Sequence, residues 1–275
     1  IQNSAFEQLN INAAYMAFDV DEEHIGDAVS SMRTLGIAGA NISMPNKTAI
    51  IEYLDYVSEE ARFCNAVNTV VNKEGRLYGY NTDIFGVEMA IKDLGVDVST
   101  SKVCILGLGG AGQAVLYALA RNNVKKVSVF VRKQSMETRK AYIDKIRNSF
   151  NIDVKIYIAE DKALLSKLVN EADLLINATK LGMGQDIDKN PLDDKIKLPK
   201  HICVLDLIYN PGETKLLERA KREDCTKYSN GLPMLVYQGV KAFEYFTDKQ
   251  IDNSYIFARL EIAFKIWYIF VYKNY

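Results

Sequence analysis

The chain has 275 residues, of which 48% are hydrophobic and 25% are charged, so it can bury the cores of two modest domains. Its 34 basic and 35 acidic residues nearly cancel, which argues against a general nucleic-acid binder because such proteins carry a basic excess. The four cysteines are widely spaced with no Cys-x-x-Cys pair, which indicates no metal site and a reduced, cytoplasmic setting.

Strand and helix patterns alternate along the chain, which predicts an α/β fold with mainly parallel sheets. The elements predicted in the first part are a strand at 15–20, a helix at 21–35, a strand at 37–42, a helix at 46–54, a hairpin of strands 67–72 and 76–80, and a helix at 82–94. The hairpin is predicted from Lys-Glu-Gly at 73–75, which separates the two strand patterns.

A second series of apolar strands begins at residue 103. Its members are 103–106, 127–131, 154–158, 174–177 and 204–207, with helical patterns between them. This alternation predicts a doubly wound, Rossmann-type sheet. After Gly231 the pattern becomes helical. The apolar run 266–272 is far shorter than the ~20 residues that cross a bilayer, so we expect a buried final element and no membrane contact.

The sharpest motif is Gly-Leu-Gly-Gly-Ala-Gly at 107–112, between a predicted strand and a predicted helix at 113–122. Gly107 permits the tight turn, Gly109 lets the backbone approach a pyrophosphate, and Gly112 allows close packing of helix on strand. Unpaired N–H groups at the helix start favour phosphate. The motif therefore predicts dinucleotide binding.

The end of the following strand indicates which dinucleotide is bound. NAD-binding proteins usually place Asp or Glu there to hold the ribose 2′-hydroxyl. Here the strand 127–131 ends in Arg132 and Lys133, and no acid appears before Glu137. Two cations suit a 2′-phosphate, so NADP(H) is favoured and NAD(H) stays open.

A polar group of residues in the first part of the chain is the candidate chemistry. Pro45 predicts a helix start that places Lys47 in the first turn, where a cation is unfavourable against the helix dipole. Such a position suggests a lysine held for function. Asn68 and Asp83 can each be read alternatively as turn and capping residues.

Other acid–base and nucleophile arrangements find little support in the sequence. His24 lies among acids on an amphipathic helix and His201 precedes a strand, so neither belongs to a polar cluster. No Gly-x-Ser-x-Gly motif indicates a hydrolase nucleophile. A lysine–aspartate pair is the remaining candidate for proton transfer.

Taken together, the motifs resemble those of the shikimate dehydrogenase family. The matching segments, in the family's order, are Asn-Ile-Ser-Met-Pro-Asn-Lys (41–47), Ala-Val-Asn-Thr (66–69), Asn-Thr-Asp (81–83), Gly-Leu-Gly-Gly-Ala (107–111), Asn-Ala-Thr (177–179), Asp206 with Tyr209-Asn-Pro211, and Gly-Leu-Pro-Met-Leu-Val-Tyr-Gln (231–238). Segments 43–47 and 179–183 look closer to the quinate/shikimate dehydrogenase branch, whose members also accept quinate and use NAD or NADP.

The resemblance implies an α/β substrate domain at 1–84 and 232–275 and a Rossmann-type NADP-binding domain at 85–231, with a cleft between them. It implies reversible reduction of 3-dehydroshikimate by NADPH in the formation of aromatic amino-acid precursors. Quinate oxidation is a further implied activity. The expected partners are the small-molecule substrate and, for a homodimer, a second copy of the chain; a monomer is the other expectation.

The resemblance also assigns residues to roles. Lys47 and Asp83 would be the catalytic pair, with Lys47 transferring a proton while the hydride moves. The substrate-binding set would be Ser43, Lys47, Asn68, Asp83, Tyr209 and Gln238. The cofactor-binding set would be Gly107, Leu108, Gly109, Gly110 and Ala111 at the pyrophosphate, Arg132 and Lys133 at the ribose phosphate, and Leu207 and Gly231 near the nicotinamide.

Three features depart from the family pattern. The family's Ser-x-Ser-Pro segment, whose serines hold the substrate carboxylate, would precede Ile1, and a molecule without it is expected to bind substrate more weakly. Val131 stands where the family usually has Asn, and the apolar tail after Ala258 is not a family ending. Two alternatives stay open: a non-catalytic NADP-binding regulatory module, or a dehydrogenase for another small cyclic acid.

Overall fold

The structure is a computed structural model that describes the backbone of residues 1–272 and the side chains of residues 1–263. Contacts within the chain divide it into two compact units. The first unit contains Ile1–Gly86 and the chain from Val236 onward, and the second contains Val87–Leu235. The boundaries predicted from the sequence, after residues 84 and 231, differ from these by two and four residues.

The first unit contains short helices and a four-stranded sheet. Its elements are α1 (Gln2–Gln8), α2 (Ile25–Thr34), β1 (Gly39–Asn41), β2 (Tyr56–Val57), α3 (Glu59–Cys64), β3 (Thr69–Lys73), β4 (Arg76–Tyr80) and the start of α4 (Asp83–Asp93), with 3₁₀ helices at Glu22–His24 and Ala49–Tyr53. The apolar face of α2, formed by Ile25, Val29 and Met32, packs with Val70 and Leu77 in the core of this unit. Their helical spacing explains why a single face of α2 is buried.

The sheet of the first unit has the strand order β1-β3-β4-β2. β1 and β4 both pair antiparallel with β3, and only β2 pairs parallel with β4. The prediction of mainly parallel strands is therefore wrong for this unit. The physical reason is the tight hairpin, in which Glu74 and Gly75 both have positive φ and bring β4 back along β3.

Two elements predicted in the first unit take another form. Residues 11–20 contain no strand, because the backbone of Tyr15 exchanges both of its hydrogen bonds with the Asn3 side chain. Met16 and Phe18 in this segment are exposed. The helix predicted at 46–54 is a turn at 44–48 followed by the 3₁₀ helix, and the Met44–Pro45 peptide is cis.

The second unit is built on a parallel six-stranded sheet. Its elements are the rest of α4, β5 (Lys102–Leu106), α5 (Gly110–Arg121), β6 (Lys126–Val131), α6 (Met136–Ser149), β7 (Asp153–Ile158), α7 (Lys162–Asn170), β8 (Leu174–Asn177), β9 (Cys203–Asp206), α8 (Lys215–Arg222), β10 (Lys227–Ser229) and the start of α9 (Leu232–Thr247), with 3₁₀ helices at Lys133–Ser135 and Gly184–Asp186. The strand order is β10-β9-β8-β5-β6-β7. Chain order reverses between β5 and β8, which is the point where such sheets bind ligands.

The predicted α/β fold with a Rossmann-type domain is confirmed, since all five predicted strands of this sheet lie within one residue of the observed bounds. β10 escaped prediction because it has only three residues and two of them are exposed. Buried apolar side chains of β8 and β9, such as Leu175 and Val204, form the core together with α7 and α8. Continuous apolar strands of this kind are typical of sheets covered on both faces.

Two helices complete the described chain, α9 (Leu232–Thr247) and α10 (Asn253–Tyr272). The helical pattern predicted after Gly231 is confirmed. The backbone of the apolar run 266–272 is part of α10. The side chains of this run lie outside the described residues, so their predicted burial stays a prediction. Within the part of the chain that the structure describes, no helix combines the length and apolar character needed to cross a membrane.

Candidate active site

The first unit brings together two charged residues that are 36 positions apart in the sequence. Lys47 Nζ donates a hydrogen bond to Asp83 Oδ2 at 2.7 Å. The side chains are 22% and 16% exposed, so the pair is partly desolvated and still accessible to a small molecule. An ammonium and a carboxylate in contact form a group that can hold and transfer a proton.

Lys47 lies in the turn at 44–48 that precedes the 3₁₀ helix. The expected position in the first turn of an α-helix is wrong, and the argument from an unfavourable helix dipole does not apply. The lysine is instead fixed through its backbone, because its carbonyl accepts a hydrogen bond from Val67 N at 2.8 Å. The preceding residue, Asn46, is buried and donates from Nδ2 to Val20 O at 2.7 Å.

Asp83 is the first residue of α4, where a carboxylate is favourable to the helix dipole. Its backbone N–H donates to Asn81 Oδ1 at 3.1 Å. Its Oδ1 accepts a hydrogen bond from Asn68 Nδ2 at 2.8 Å, while Oδ2 accepts from Lys47. Both carboxylate oxygens therefore have a donor, which holds the carboxylate in one orientation.

The orientation of the Asn68 amide follows from its surroundings. Asn68 Oδ1 accepts hydrogen bonds from Thr82 N at 2.8 Å and from Thr69 Oγ1 at 3.0 Å. Because a backbone N–H can only donate, Oδ1 must face Thr82, and Nδ2 is left to face Asp83. Asn68 is only 3% exposed, so this arrangement belongs to the protein interior. The alternative reading of Asn68 as a turn residue is wrong.

Sequence reasoning missed the residues that support this arrangement. Thr69 and Thr82 are buried, and Asn41 Nδ2 donates to Thr69 Oγ1 at 3.2 Å. The hairpin register could have indicated this arrangement. Thr69 pairs with Tyr80, so Asn68 and Asn81, one step beyond this pair, must also lie close together. Continuing the predicted hairpin would have placed Asn68 beside the start of α4.

The other predicted substrate-binding residues have varied positions. Gln238, on α9, lies in the same unit, where its Oε1 is 3.5 Å from Thr82 Oγ1. Ser43 is exposed and directly precedes the turn at 44–48 that contains Lys47, and among the described side chains no hydrogen bond joins its hydroxyl to the pair. Tyr209 belongs to the second unit, follows β9, and is 42% exposed.

The glycine motif forms the turn from β5 to α5 in the second unit. Gly107 has a φ of +91°, a conformation that favours glycine. A Cβ at Gly112 would clash with the carbonyl oxygen of Gly107, so glycine is needed for the helix to pack on the turn. In contrast, Cβ atoms at Gly109 and Gly110 would meet open space. The backbone of these two residues is therefore accessible to a ligand.

The start of α5 has the properties of an anion-binding site. α5 begins at Gly110, three residues before the predicted start, and Gly109 is its N-cap. Within the described chain no side chain caps this end, and the first turn contains no acid. Its N–H groups are thus available to a phosphate, as the helix dipole favours. Leu108 is buried and Ala111 is exposed, so both offer mainly backbone here.

Arg132 and Lys133 follow directly after β6, and both are exposed. The backbone N–H of Lys133 donates to the carboxylate of Glu160, at 3.3 Å from Oε1 and 3.2 Å from Oε2. Glu160 was not predicted from the sequence as a neighbour of Lys133, because it lies 27 residues further along the chain. The signal was the neighbouring strand, since the carboxyl ends of adjacent parallel strands meet at one edge of the sheet.

Leu207 and Gly231 lie together beyond β9. A Cβ at Gly231 would clash with the carbonyl oxygen of Leu207, so only glycine allows this approach. Just before Leu207, buried Asp206 accepts hydrogen bonds from Thr214 Oγ1 at 2.6 Å and Asn177 Nδ2 at 2.9 Å. Burial raises the pKa of the Asp206 carboxyl, and these hydrogen bonds act in the opposite direction. The network holds the loops after β8 and β9.

Comparison with known proteins decides the family. "Shikimate dehydrogenase substrate binding domain" matches residues 1–70, "Saccharopine dehydrogenase NADP binding domain" matches 103–180, and "Shikimate 5'-dehydrogenase C-terminal domain" matches 231–255. A shikimate dehydrogenase (NADP(+)) of Caldanaerobacter subterraneus subsp. tengcongensis is 39% identical over 260 residues, which cover 94% of this chain and 90% of the relative. The chain belongs to the shikimate dehydrogenase family.

Solved structures of the shikimate dehydrogenase family share this fold. Shikimate 5-dehydrogenase from Listeria monocytogenes, in complex with shikimate and NAD, is 37% identical with a TM-score of 0.88, over 94% of this chain and 89% of that one. Quinate dehydrogenase from Corynebacterium glutamicum, in complex with NAD, is 29% identical with a TM-score of 0.81, over 94% and 92%. The resemblance to the shikimate dehydrogenase family stated from the sequence is confirmed.

Proposed function

We propose that the chain is an NADP-dependent oxidoreductase that reversibly reduces 3-dehydroshikimate to shikimate, a step towards aromatic amino acids. The observation that carries the proposal is the 2.7 Å contact between Lys47 Nζ and Asp83 Oδ2, held by Asn68. The relative at 39% identity is named for this reaction with NADP(+), and the Listeria structure contains shikimate. Both support the same assignment.

The chemistry requires a hydride at the carbonyl carbon and a proton at its oxygen. A nicotinamide held near Leu207 and Gly231 would supply the hydride. Lys47 donates the proton from its ammonium group as negative charge develops on the oxygen, and it accepts a proton when shikimate is oxidised. Asp83 holds the ammonium through Oδ2, and its remaining lone pairs accept a hydrogen bond from a substrate hydroxyl.

The proposed substrate-binding set supplies amide and hydroxyl groups. Asn68, Gln238 and Ser43 of the first unit would bond the ring hydroxyls. Tyr209 is included in this set on the family resemblance alone. A ring with several hydroxyls needs several fixed partners, because each unmatched polar group in the site costs affinity.

The proposed cofactor site rests on the fit of the glycine turn. The open space at Gly109 and Gly110 and the uncapped start of α5 suit a pyrophosphate. The full set is Gly107, Leu108, Gly109, Gly110 and Ala111 at the pyrophosphate, Arg132 and Lys133 at the ribose 2′-phosphate, and Leu207 and Gly231 at the nicotinamide. The guanidinium of Arg132 can bond a phosphate through two N–H groups. NADP(H) is thus the proposed cofactor.

Nicotinamide absorbance tests the proposal directly. The full-length protein is incubated with shikimate and NADP⁺, and reduction of the nicotinamide is followed over time. We expect turnover that is lost in a Lys47→Ala variant. No turnover by the folded wild-type protein would refute the assignment.

Quinate is a second candidate substrate, favoured by segments 43–47 and 179–183 and by the similarity to a quinate dehydrogenase. Parallel assays with quinate and shikimate rank the two. A non-catalytic regulatory module would bind NADP(H) without any thermal stabilisation by shikimate or quinate. The contact between Lys47 and Asp83 favours the enzyme over that alternative. Cytoplasmic location and a monomeric or homodimeric state stay predictions.

A further inference from the structure

Glu160 lies at the edge of the sheet where the ribose of the adenosine half of a dinucleotide is recognised. β6 and β7 are adjacent and in register to their ends, with Val131 paired to Ile158. One step further, Ala159 N donates to Val131 O at 2.8 Å, which continues the pairing beyond β7. The next residue is Glu160. The chain therefore delivers a carboxylate to the edge that also holds Arg132 and Lys133.

The contact between Glu160 and the end of β6 is direct. Both of its carboxylate oxygens are within 3.3 Å of Lys133 N. Among the described residues, no salt bridge joins the Glu160 carboxylate to the side chain of Arg132 or Lys133, and its hydrogen bonds are with the backbone N–H of Lys133. The side chain of the neighbouring acid, Asp161, instead caps α7 by accepting a hydrogen bond from Leu164 N. Glu160 is thus the acid available to a ligand here.

An acid at this edge has a known physical consequence for cofactor choice. A carboxylate accepts a hydrogen bond from the ribose 2′-hydroxyl of NAD(H), whereas it repels the 2′-phosphate of NADP(H). In most NAD-binding folds the acid stands at the end of the second strand, which here carries Arg132 instead. We propose that Glu160, supplied by the end of β7, is a cofactor-selectivity residue that opposes Arg132 and gives this chain measurable use of NAD(H).

This role for Glu160 rests on the proposed function, because it assumes that a nicotinamide dinucleotide binds at this edge. It adds to that function an acidic residue that affects the choice of cofactor. Arg132 and Lys133 attract the 2′-phosphate, and Glu160 reduces that attraction while it binds the 2′-hydroxyl. The balance of the three groups sets the ratio of NADP(H) to NAD(H) affinity. Because Glu160 and both cations are exposed, the balance depends on ionic strength.

The test compares Glu160→Gln with wild type by direct binding of NADP⁺ and of NAD⁺ to the full chain, with calorimetry as the readout. We expect the NADP⁺ dissociation constant to fall and the NAD⁺ constant to rise, which changes their ratio by about tenfold at low salt. The change should shrink at high salt. The control is Glu171→Gln, which removes the same charge beside Lys102 at the amino end of β5 and should leave the ratio unchanged.

Four other outcomes have defined meanings. If Glu160→Gln weakens both nucleotides equally, the carboxylate bonds a group that they share, and the inference is overturned. An unchanged ratio overturns it as well. If wild type binds neither nucleotide, both the inference and the proposed cofactor are wrong. Binding with the expected shift but no turnover of shikimate supports the inference and refutes only the proposed reaction.

Discussion

Asn68 lies between the backbone of Thr82 and the carboxylate of Asp83, accepting a hydrogen bond from Thr82 N at 2.8 Å and donating one to Asp83 Oδ1 at 2.8 Å. One buried amide thereby connects the start of α4 to the acid of the candidate pair. This relationship means that the position of Asp83, and through it that of Lys47, depends on a residue outside the pair.

Replacing Asn68 by Ala should reduce both stability and substrate affinity. Thr82 N–H would lose its acceptor, which costs about 1–3 kcal/mol in the free energy of unfolding, and Asp83 would be free to turn. We expect a raised KM for shikimate, measured with the stability of the same sample. The control is Asn72→Ala, which removes another amide of the hairpin that bonds Met32 O and Gly75 N. That variant should lose stability with KM unchanged, and equal KM values for both variants would contradict the expectation.

Removing the proposed proton donor should affect turnover far more than folding. Lys47→Ala is expected to lower kcat for shikimate oxidation by about 10²–10⁴-fold, the range for loss of a general acid–base group. The ion pair is only partly buried, so the change in unfolding free energy should stay near 1 kcal/mol. Steady-state kinetics and thermal unfolding measure the two effects. A kcat within a few-fold of wild type would exclude Lys47 as the proton donor.

The two ends of the glycine motif should respond differently to alanine. Gly112→Ala introduces a clash with Gly107 O and is expected to cost about 1–3 kcal/mol of stability. Gly110→Ala enters open space in a helix and should leave stability unchanged or slightly raised. Both should weaken binding of NADP⁺, measured by calorimetry. Wild-type binding by Gly110→Ala would show that the pyrophosphate does not approach this glycine.

Stability in acid should depend on Asp55. The backbone N–H of Leu77, and secondly the Arg33 guanidinium, hold the pKa of the Asp55 carboxyl below its usual value. A depressed folded-state pKa contributes stability above the unfolded pKa of about 3.9, and this contribution is lost as the pH falls through the folded-state value. Asp55→Asn should therefore unfold with less dependence on pH below about pH 4. Urea unfolding at a series of acidic pH values checks this, and parallel curves for the two proteins would contradict it.

Much of the fold could be predicted because its strands and helices depend on short stretches of sequence. The five predicted strands of the second sheet have four to six residues each, so their positions follow from local pattern alone. The helical pattern predicted between them is wrong in one gap, because only the short 3₁₀ helix Gly184–Asp186 lies between β8 and β9. Gly107 and Gly112 likewise have local tasks, a positive φ and close packing onto the turn. The strand predicted at 15–20 was wrong because the Asn3 side chain satisfies the backbone of Tyr15 and no neighbouring strand is needed.

The sequence alone determined the α/β fold, the family and the choice of Lys47 and Asp83 as candidates, because these follow from residue types, their spacing and the glycine turn. Tertiary structure decided which distant groups meet: the contact of Lys47 with Asp83, the amide orientation of Asn68, and the approach of Glu160 to Lys133. The reason is physical. Secondary structure depends on residues within a few positions of one another, whereas a contact across strands depends on sheet order and register, which only the packed chain defines.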